Sequence, residues 1–175
     1  MRKIINEMKL RLPSRSVNEA VARSCISSFL AEANPTVEEL CDLRCAVSEA
    51  VTNCIVHAYK KGGKNAEQGK IFIECRADRK LTGVEGDAVE SCGVLHIQIT
   101  DYGCGIDNVD EALTPFFTTL SGEERSGLGF TIMQTFMSDF AVESSRGGGT
   151  KVLMSKVIGN TDSLLPREKK EVDNA

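Results

Sequence analysis

The sequence lacks the features that mark several large classes of protein. No block rich in Lys and Arg interrupts its interspersed charges, and the formal net charge is only −4, so we expect no direct binding to nucleic acid. No apolar run approaches the roughly 18 to 20 residues that cross a bilayer, and residues 1–12 contain no signal-peptide core. We therefore expect a cytoplasmic protein without a membrane segment.

Zinc and disulfide patterns are missing as well. The seven cysteines are scattered without a CxxC pair or a companion CxxH, which argues against a disulfide framework and against a zinc site. Cys41 and Cys45 lie on one predicted helix, but two thiols alone make a poor metal site. We interpret the cysteines as small core or loop residues.

What is present suffices for one domain. With 175 residues, 41% of them hydrophobic, the chain is near the common size of a single globular unit with its own core. The segment after residue 157 is charged and has few large apolar side chains, which is typical of mobile tails. We expect one domain at residues 1–157 and a flexible tail at residues 158–175.

An edge strand and a first amphipathic helix are predicted near the N-terminus. Residues 4–12 have the pattern of the strand, and Ser16 with Glu19 has the spacing of a capping box that opens the helix. Asn34, which precedes a proline, should end this helix. The apolar face predicted for the helix consists of Val17, Val21, Ala22, Cys25, Ile26, Phe29 and Ala33.

A second, longer helix follows. Thr36 and Glu39 repeat the capping-box spacing, and the helix should run to about Tyr59. Its predicted apolar face consists of Leu40, Leu43, Val47, Ala50, Val51, Cys54 and Ala58. The later elements predicted are strands at residues 71–76, 94–100, 140–144 and 151–157, a helix at residues 130–137, and a long hydrophilic connection at residues 77–93. This order favours an α+β fold, a two-layer α/β sandwich whose helices cover one face of a mixed or antiparallel sheet.

A carboxylate and an amide share one face of the second helix. Glu49 and Asn53 lie four positions apart, away from the predicted apolar side. In isolation such a pair is more often a solvated polar face than a binding site. His57 continues the face one turn later, and we interpret it as a residue that caps carbonyls at the helix end.

A glycine-containing turn follows the predicted strand at residues 94–100. Asp101 ends that strand, and Gly103 and Gly105 permit tight turning and close approach of a ligand. The carboxylate at the strand end can accept a hydrogen bond from a base amine. Alone, this D-x-G-x-G pattern is more often a turn that ends a strand.

A second glycine-containing turn opens the predicted helix at residues 130–137. Backbone N–H groups from Gly127 to Gly129 would converge on the helix N-terminus, a common arrangement for binding phosphate, and Arg125 adds a positive charge. The turn is neither a Walker A loop nor a dinucleotide fingerprint, because no Lys-Ser/Thr follows and no βαβ unit frames it. Its glycines alone are also compatible with a simple helix entry, and the later Gly149-Thr150 pair with a hairpin connection.

Taken in this order, the four motifs resemble those of the GHKL superfamily of ATP-binding proteins, which has the Bergerat fold. Residues 48–60 (SEAVTNCIVHAYK), 115–119 (PFFTT) and 124–137 (ERSGLGFTIMQTFM) are similar to the sporulation and stress-response anti-sigma kinases of that superfamily. The resemblance extends from about residue 6 to residue 157.

The resemblance implies a serine kinase that uses ATP and Mg²⁺. Glu49 would be the catalytic base, Arg125 would stabilise charge on the transferred group, and Asn53 would bind Mg²⁺. Asp101 would recognise the adenine amino group, with support from Thr150. The other nucleotide-binding residues that the resemblance implies are Gly103, Gly105, Thr118, Thr119, Gly127, Leu128 and Gly129, with the two threonines in a mobile lid.

The resemblance also implies protein partners. A homodimer would bind a sigma factor of the sigma F type and phosphorylate a serine of an anti-anti-sigma factor, with Asn18, Glu19 and Arg23 in the partner-facing stretch and Arg23 exposed. Two alternatives stay open: a stress-response-type anti-sigma serine kinase, and a nucleotide-gated binding module without kinase activity. A histidine-kinase catalytic domain is disfavoured because its phosphoacceptor would have to lie on a dimerisation helix, whereas His96 lies in a predicted strand.

Overall fold

A computed structural model describes residues 2–59, 69–80, 93–116 and 127–159. These residues form a five-stranded sheet in the order β1-β2-β3-β5-β4, with helices packed on one face. The elements in chain order are β1 (Arg2–Pro13), α1 (Val17–Leu30), a 3₁₀ turn (Ala31–Ala33), α2 (Val37–Asn53), a π-helical turn (Cys54–Ala58), β2 (Lys70–Lys80), β3 (Gly93–Asp101), α3 (Val109–Ala112), α4 (Gly129–Phe136), β4 (Asp139–Ser145) and β5 (Gly149–Ile158).

The predicted α+β sandwich is confirmed, and its sheet is antiparallel. Every strand pairing among the described residues is antiparallel. Of the two sheet types predicted, mixed or antiparallel, the mixed sheet is therefore wrong. The physical reason is the position of β5. The strand β4 runs in the same direction as β3, but β5 lies between them, so no two parallel strands are neighbours.

Helix α1 buries only part of the predicted apolar face, together with Leu30, which was not predicted. Ala22, Ile26 and Leu30 are fully buried, whereas Val17 and Val21 are 69% and 40% exposed. The core-facing series is therefore shifted by one residue around the helix, which turns about 100° per residue. The predicted capping role of Ser16 is also wrong, because its backbone is helical and its side chain makes no capping bond.

Helix α2 begins as predicted and ends differently. Thr36 Oγ1 accepts a hydrogen bond from the Glu39 N–H at 3.1 Å, and Glu39 Oε2 accepts one from the Thr36 N–H at 2.7 Å, so the capping box is confirmed. The last turn, Cys54–Ala58, is π-helical rather than α-helical. Such turns are frequent at functional sites, and no sequence pattern predicted this one.

Two strands are longer than their sequence patterns. The strand β2 continues to Lys80 and β3 begins at Gly93, so both ends of the connection predicted at residues 77–93 are strand, and residues 81–92 lie outside the described residues. The four-residue helix α3 was not predicted, because it is too short to show periodicity. It is capped by the side chain of Asn108.

The C-terminal end of α4 is held against α2 and the sheet. Lys156 Nζ donates to Asp42 Oδ2 on α2 at 2.8 Å and to the Phe136 carbonyl at the end of α4 at 2.6 Å. Met133 of α4 is fully buried in the core. The N-terminal end of α4 lies beside the C-terminal part of α2, where Gly129 faces Glu49 and Asn53. Within the described residues, no helix has the length and apolar character needed to cross a membrane.

Candidate functional site

A cleft of about 710 Å³ lies between α2, the loop after β3 and the start of α4. Its volume is in the range typical of small-molecule sites. Segments that are far apart in the sequence meet there, as predicted from the order of the motifs. The predicted site residues that line the cleft are Glu49, Asn53, Asp101, Gly105, Gly127, Leu128, Gly129 and Thr150.

Glu49 and Asn53 face the first residue of α4. A Cβ atom added to Gly129 would lie 3.0 Å from Glu49 Oε2 and 3.4 Å from Asn53 Nδ2. The shared helix face predicted for the two side chains is therefore confirmed. Because residue 129 has no side chain, the N-terminus of α4 approaches a carboxylate and an amide together.

Asp101 is a buried carboxylate at the other end of the cleft, only 3% exposed. It accepts hydrogen bonds from the Gly103 N–H at 2.8 Å, the Cys54 thiol and the Thr150 N–H. Burial raises the pKa of the Asp101 carboxyl, and these three donors oppose that shift. Burial and the Asp101 carboxylate likewise raise the pKa of the Cys54 thiol, which keeps it protonated as a donor.

Hydrogen bonds fix the loop after β3 to its surroundings. The Cys104 N–H donates to the Ala58 carbonyl at 2.8 Å, and the Cys104 carbonyl accepts from the Gly147 N–H at 2.7 Å. Gly103 does not line the cleft, but a Cβ there would collide with the backbone of Ala58. Its part in the site is to allow this close contact and to donate to Asp101.

Thr150 belongs to a small polar cluster beside Asp101. Its Oγ1 lies 3.0 Å from Ser144 Oγ, which also accepts a hydrogen bond from the Ile106 N–H at 2.9 Å. Ser144 was not predicted as a site residue. Nothing in its strand pattern distinguishes it from any other alternating polar position.

The glycine turn before α4 has the conformation that its sequence requires. Gly127 has a φ of +65°, and a Cβ there would lie 2.5 Å from the Phe116 carbonyl carbon. The Phe116 N–H donates to the Gly127 carbonyl at 3.1 Å. The remaining predicted site residues of this region, Thr118, Thr119 and Arg125, lie outside the described residues.

Several residues that line the cleft were missed. His57, which the predicted site left out, lines the cleft; its position one turn after Asn53 on the same face was the available signal. Others come from the loop after β3, from the short helix α3 and from the β4–β5 turn, where no periodicity exists to predict a direction. They include Ile106, Asp107, Asn108, Glu111 and Arg146.

The three residues predicted to face a partner lie on α1, outside the cleft. Asn18 Nδ2 donates to the Pro13 carbonyl at 2.7 Å, and Arg23 pairs with Glu19 at 2.9 Å. The Arg23 side chain is 34% exposed and that of Glu19 is 23% exposed. The predicted exposure of Arg23 is thus only partial.

The cleft has the chemistry of a nucleoside triphosphate site. Asp101 offers a buried acceptor at one end, and the N-terminus of α4 offers backbone N–H groups and a positive dipole at the other. Among the described residues no group of three or more His, Cys, Asp or Glu could hold a metal ion. Asn53 fits the requirement of Mg²⁺, which commonly takes one or two protein oxygens together with phosphates and water.

Comparisons with known proteins agree with this geometry. The family described as "Histidine kinase-like ATPase domain" matches residues 12–156. An anti-sigma F factor of Caldanaerobacter subterraneus subsp. tengcongensis is 45% identical over 158 residues, covering 88% of this chain and 95% of that protein. An anti-sigma F factor of Geobacillus thermodenitrificans is 41% identical over 159 residues, covering 91% and 97%.

A solved structure supports the fold alone. The RsbU and RsbW domains of a Mycobacterium tuberculosis protein superpose with a TM-score of 0.54 at 15% identity, covering 89% of this chain and 33% of that one. The family match spans most of the chain, and so do the relatives that are more than 40% identical. The chain therefore belongs to the histidine kinase-like ATPase (GHKL) family, in which it is similar to proteins named anti-sigma F factor.

Proposed function

We propose that this protein is a cytoplasmic, homodimeric anti-sigma factor that binds a sigma factor of the sigma F type and phosphorylates a serine of an anti-anti-sigma factor with Mg-ATP. The observation that carries the kinase part is the placement of Glu49 and Asn53 against Gly129, where the N-terminus of α4 enters the cleft. The names of the relatives support the anti-sigma part.

The two ends of the cleft would bind different parts of the nucleotide. Asp101, with Thr150 and Ser144 beside it, would accept a hydrogen bond from the adenine amino group. Backbone N–H groups from Gly127 to Gly129 would bind the phosphates. Asn53 would hold Mg²⁺, which when bound neutralises charge on the β- and γ-phosphates. Arg125 and the threonines at residues 118–119 would complete the site from the segment between Phe116 and Gly127.

Glu49 would act on the nucleophile. Its carboxylate accepts the proton of the substrate serine hydroxyl while the serine oxygen attacks the γ-phosphorus. The bond between the γ-phosphorus and the β,γ-bridging oxygen breaks, and ADP leaves with the electron pair. The products are ADP, phosphoserine and a proton on Glu49 that passes to solvent.

Transfer of label from ATP tests the proposal. The purified chain is incubated with γ-labelled ATP, Mg²⁺ and each candidate anti-anti-sigma protein from the same genome, and the labelled residue is identified by mass spectrometry. We expect label on a serine of one candidate, and that candidate distinguishes a sporulation-type from a stress-response-type system. Nucleotide-dependent binding of a sigma factor with no transfer to any candidate would instead identify a binding module without kinase activity.

A further inference from the structure

A closed network of three side chains joins α1 to α2 directly behind the cleft. Ser48 Oγ donates to Glu19 Oε1 at 2.6 Å, and Arg23 NH1 donates to the same carboxylate oxygen at 2.9 Å. Arg23 NH1 also lies 3.2 Å from Ser48 Oγ. Each of the three side chains therefore contacts the other two, so a change in one alters the bonds of both others.

The network is largely covered by protein. The Arg23 and Glu19 side chains are 34% and 23% exposed, so their pairing is screened less than that of a surface ion pair. Arg23 Nε is buried and, within the described residues, has no hydrogen-bond partner. Nε therefore does not help to hold the guanidinium in place. The hydrogen bonds of NH1 to Glu19 and Ser48 hold it instead.

Ser48 immediately precedes Glu49 in the chain, so the two side chains point to different sides of the same helical turn. Ser48 contacts α1, and Glu49 faces the start of α4. The clearance on that side is small, because a Cβ at Gly129 would lie only 3.0 Å from Glu49 Oε2. A rotation or shift of this turn of α2 would therefore move the carboxylate relative to any phosphate bound at α4.

We propose that Ser48 is a positioning residue: through its bonds to Glu19 and Arg23 it fixes the turn of α2 that carries Glu49, and it couples the exposed edge of Arg23 on α1 to phosphoryl transfer in the cleft. The inference rests on the proposed kinase function.

Steady-state kinetics of phosphoryl transfer test the positioning role. Ser48→Ala removes the bond to Glu19, and we expect kcat to fall about tenfold with KM for ATP within about twofold, because misplacement of a reacting group lowers the rate more than binding. Ser48→Thr keeps a hydroxyl and should recover most of kcat. Ser24→Ala, at an exposed position of α1, is the matched control and should retain the kcat of the unmodified chain.

A double-mutant cycle tests the coupling. If Ser48 and Arg23 act as a unit, the loss of kcat in Ser48→Ala combined with Arg23→Gln should be smaller than the product of the two single losses. Purely multiplicative losses would overturn the coupling. An unchanged kcat in Ser48→Ala, or an equal loss in Ser48→Thr, would overturn the positioning role.

Amide hydrogen exchange separates this inference from the proposed function. Exchange across α2 should be faster in Ser48→Ala than in the unmodified chain and close to normal in Ser48→Thr, whether or not transfer occurs. If the unmodified chain transfers no phosphate, the proposed function fails. The exchange rates alone then test whether the network of Ser48, Glu19 and Arg23 stabilises α2. Equal exchange in all three proteins would overturn it.

Discussion

The two ends of the cleft are built in different ways. At the Asp101 end, a buried carboxylate and its loop are held by hydrogen bonds from Cys54, Gly103 and Thr150. At the α4 end, the main feature is the short distance between α4 and Glu49. The absence of a side chain at Gly129 permits this close approach. If the proposed function holds, the Asp101 end would select the base, and the α4 end, where small distances matter, would set the rate of transfer.

Among the variants that compare the two ends of the cleft, Gly129→Ala should give the largest effect, and it should act on the rate of transfer. The new methyl group would lie 3.0 Å from Glu49 Oε2, so the carboxylate must move. We expect kcat for transfer to fall about 100-fold, the loss typical of a misplaced reacting group. Gly93→Ala is the matched control, since its methyl group would meet nothing closer than 3.6 Å. Equal rates for the two variants would remove the distinction between the ends.

Asp101→Asn should give the next largest effect and act on binding. The amide would present N–H groups toward a site whose three protein partners are all donors, and we expect the Kd for ATP to rise about tenfold to 100-fold. Calorimetric titration measures this. Asp110→Asn, at an exposed position in the first turn of α3 that does not line the cleft, is the control and should bind ATP normally. A normal Kd for Asp101→Asn would contradict base recognition by this carboxylate.

Tyr59→Phe should give a smaller effect that sharpens the contrast. The Tyr59 hydroxyl donates to the Lys70 carbonyl at 2.7 Å and accepts from the Tyr102 N–H at 3.0 Å, so it ties the loop after Asp101 to β2. Its loss should lower the free energy of unfolding by about 1 kcal/mol and weaken ATP binding more than it slows transfer. Denaturant titration checks the first expectation.

Tyr102→Phe is the control for that variant, because the Tyr102 side chain is 64% exposed. It should leave the free energy of unfolding unchanged. Equal stability of the Tyr59 and Tyr102 variants would show that the hydroxyl of Tyr59 does not hold the loop.

The pH dependence of stability should give the smallest effect. Burial raises the pKa of Asp101 in the folded protein, so above the ordinary aspartate pKa the folded state retains a proton that the unfolded state has lost. The contribution of Asp101 to the free energy of unfolding therefore falls as pH rises from that value to the folded-state pKa, and is constant above it. Thermal melts from pH 3 upward should show this component in the unmodified chain and not in Asp101→Asn. A pH-independent difference between the two would contradict the raised pKa.

The sequence predicted local features better than contacts between distant segments, for a physical reason. Glu49 and Asn53 were predictable because helical spacing alone places them on one face, and Thr36 because its cap is local. The Cys54 bond to Asp101 depends on a π-helical turn packed against a loop, and no local pattern encodes it. Ser16 failed as a cap because Glu19 bonds to α2 instead of returning to its own helix start.

Phosphoryl transfer by Glu49→Gln tests directly whether Glu49 is the catalytic base. The substitution keeps the size of the side chain and removes its ability to accept a proton, so ATP binding should persist while single-turnover transfer falls at least about 100-fold. Glu38→Gln makes the same change at an exposed position in the first turn of α2 and should transfer normally. Transfer by Glu49→Gln at the rate of the unmodified chain would show that Glu49 is not the catalytic base.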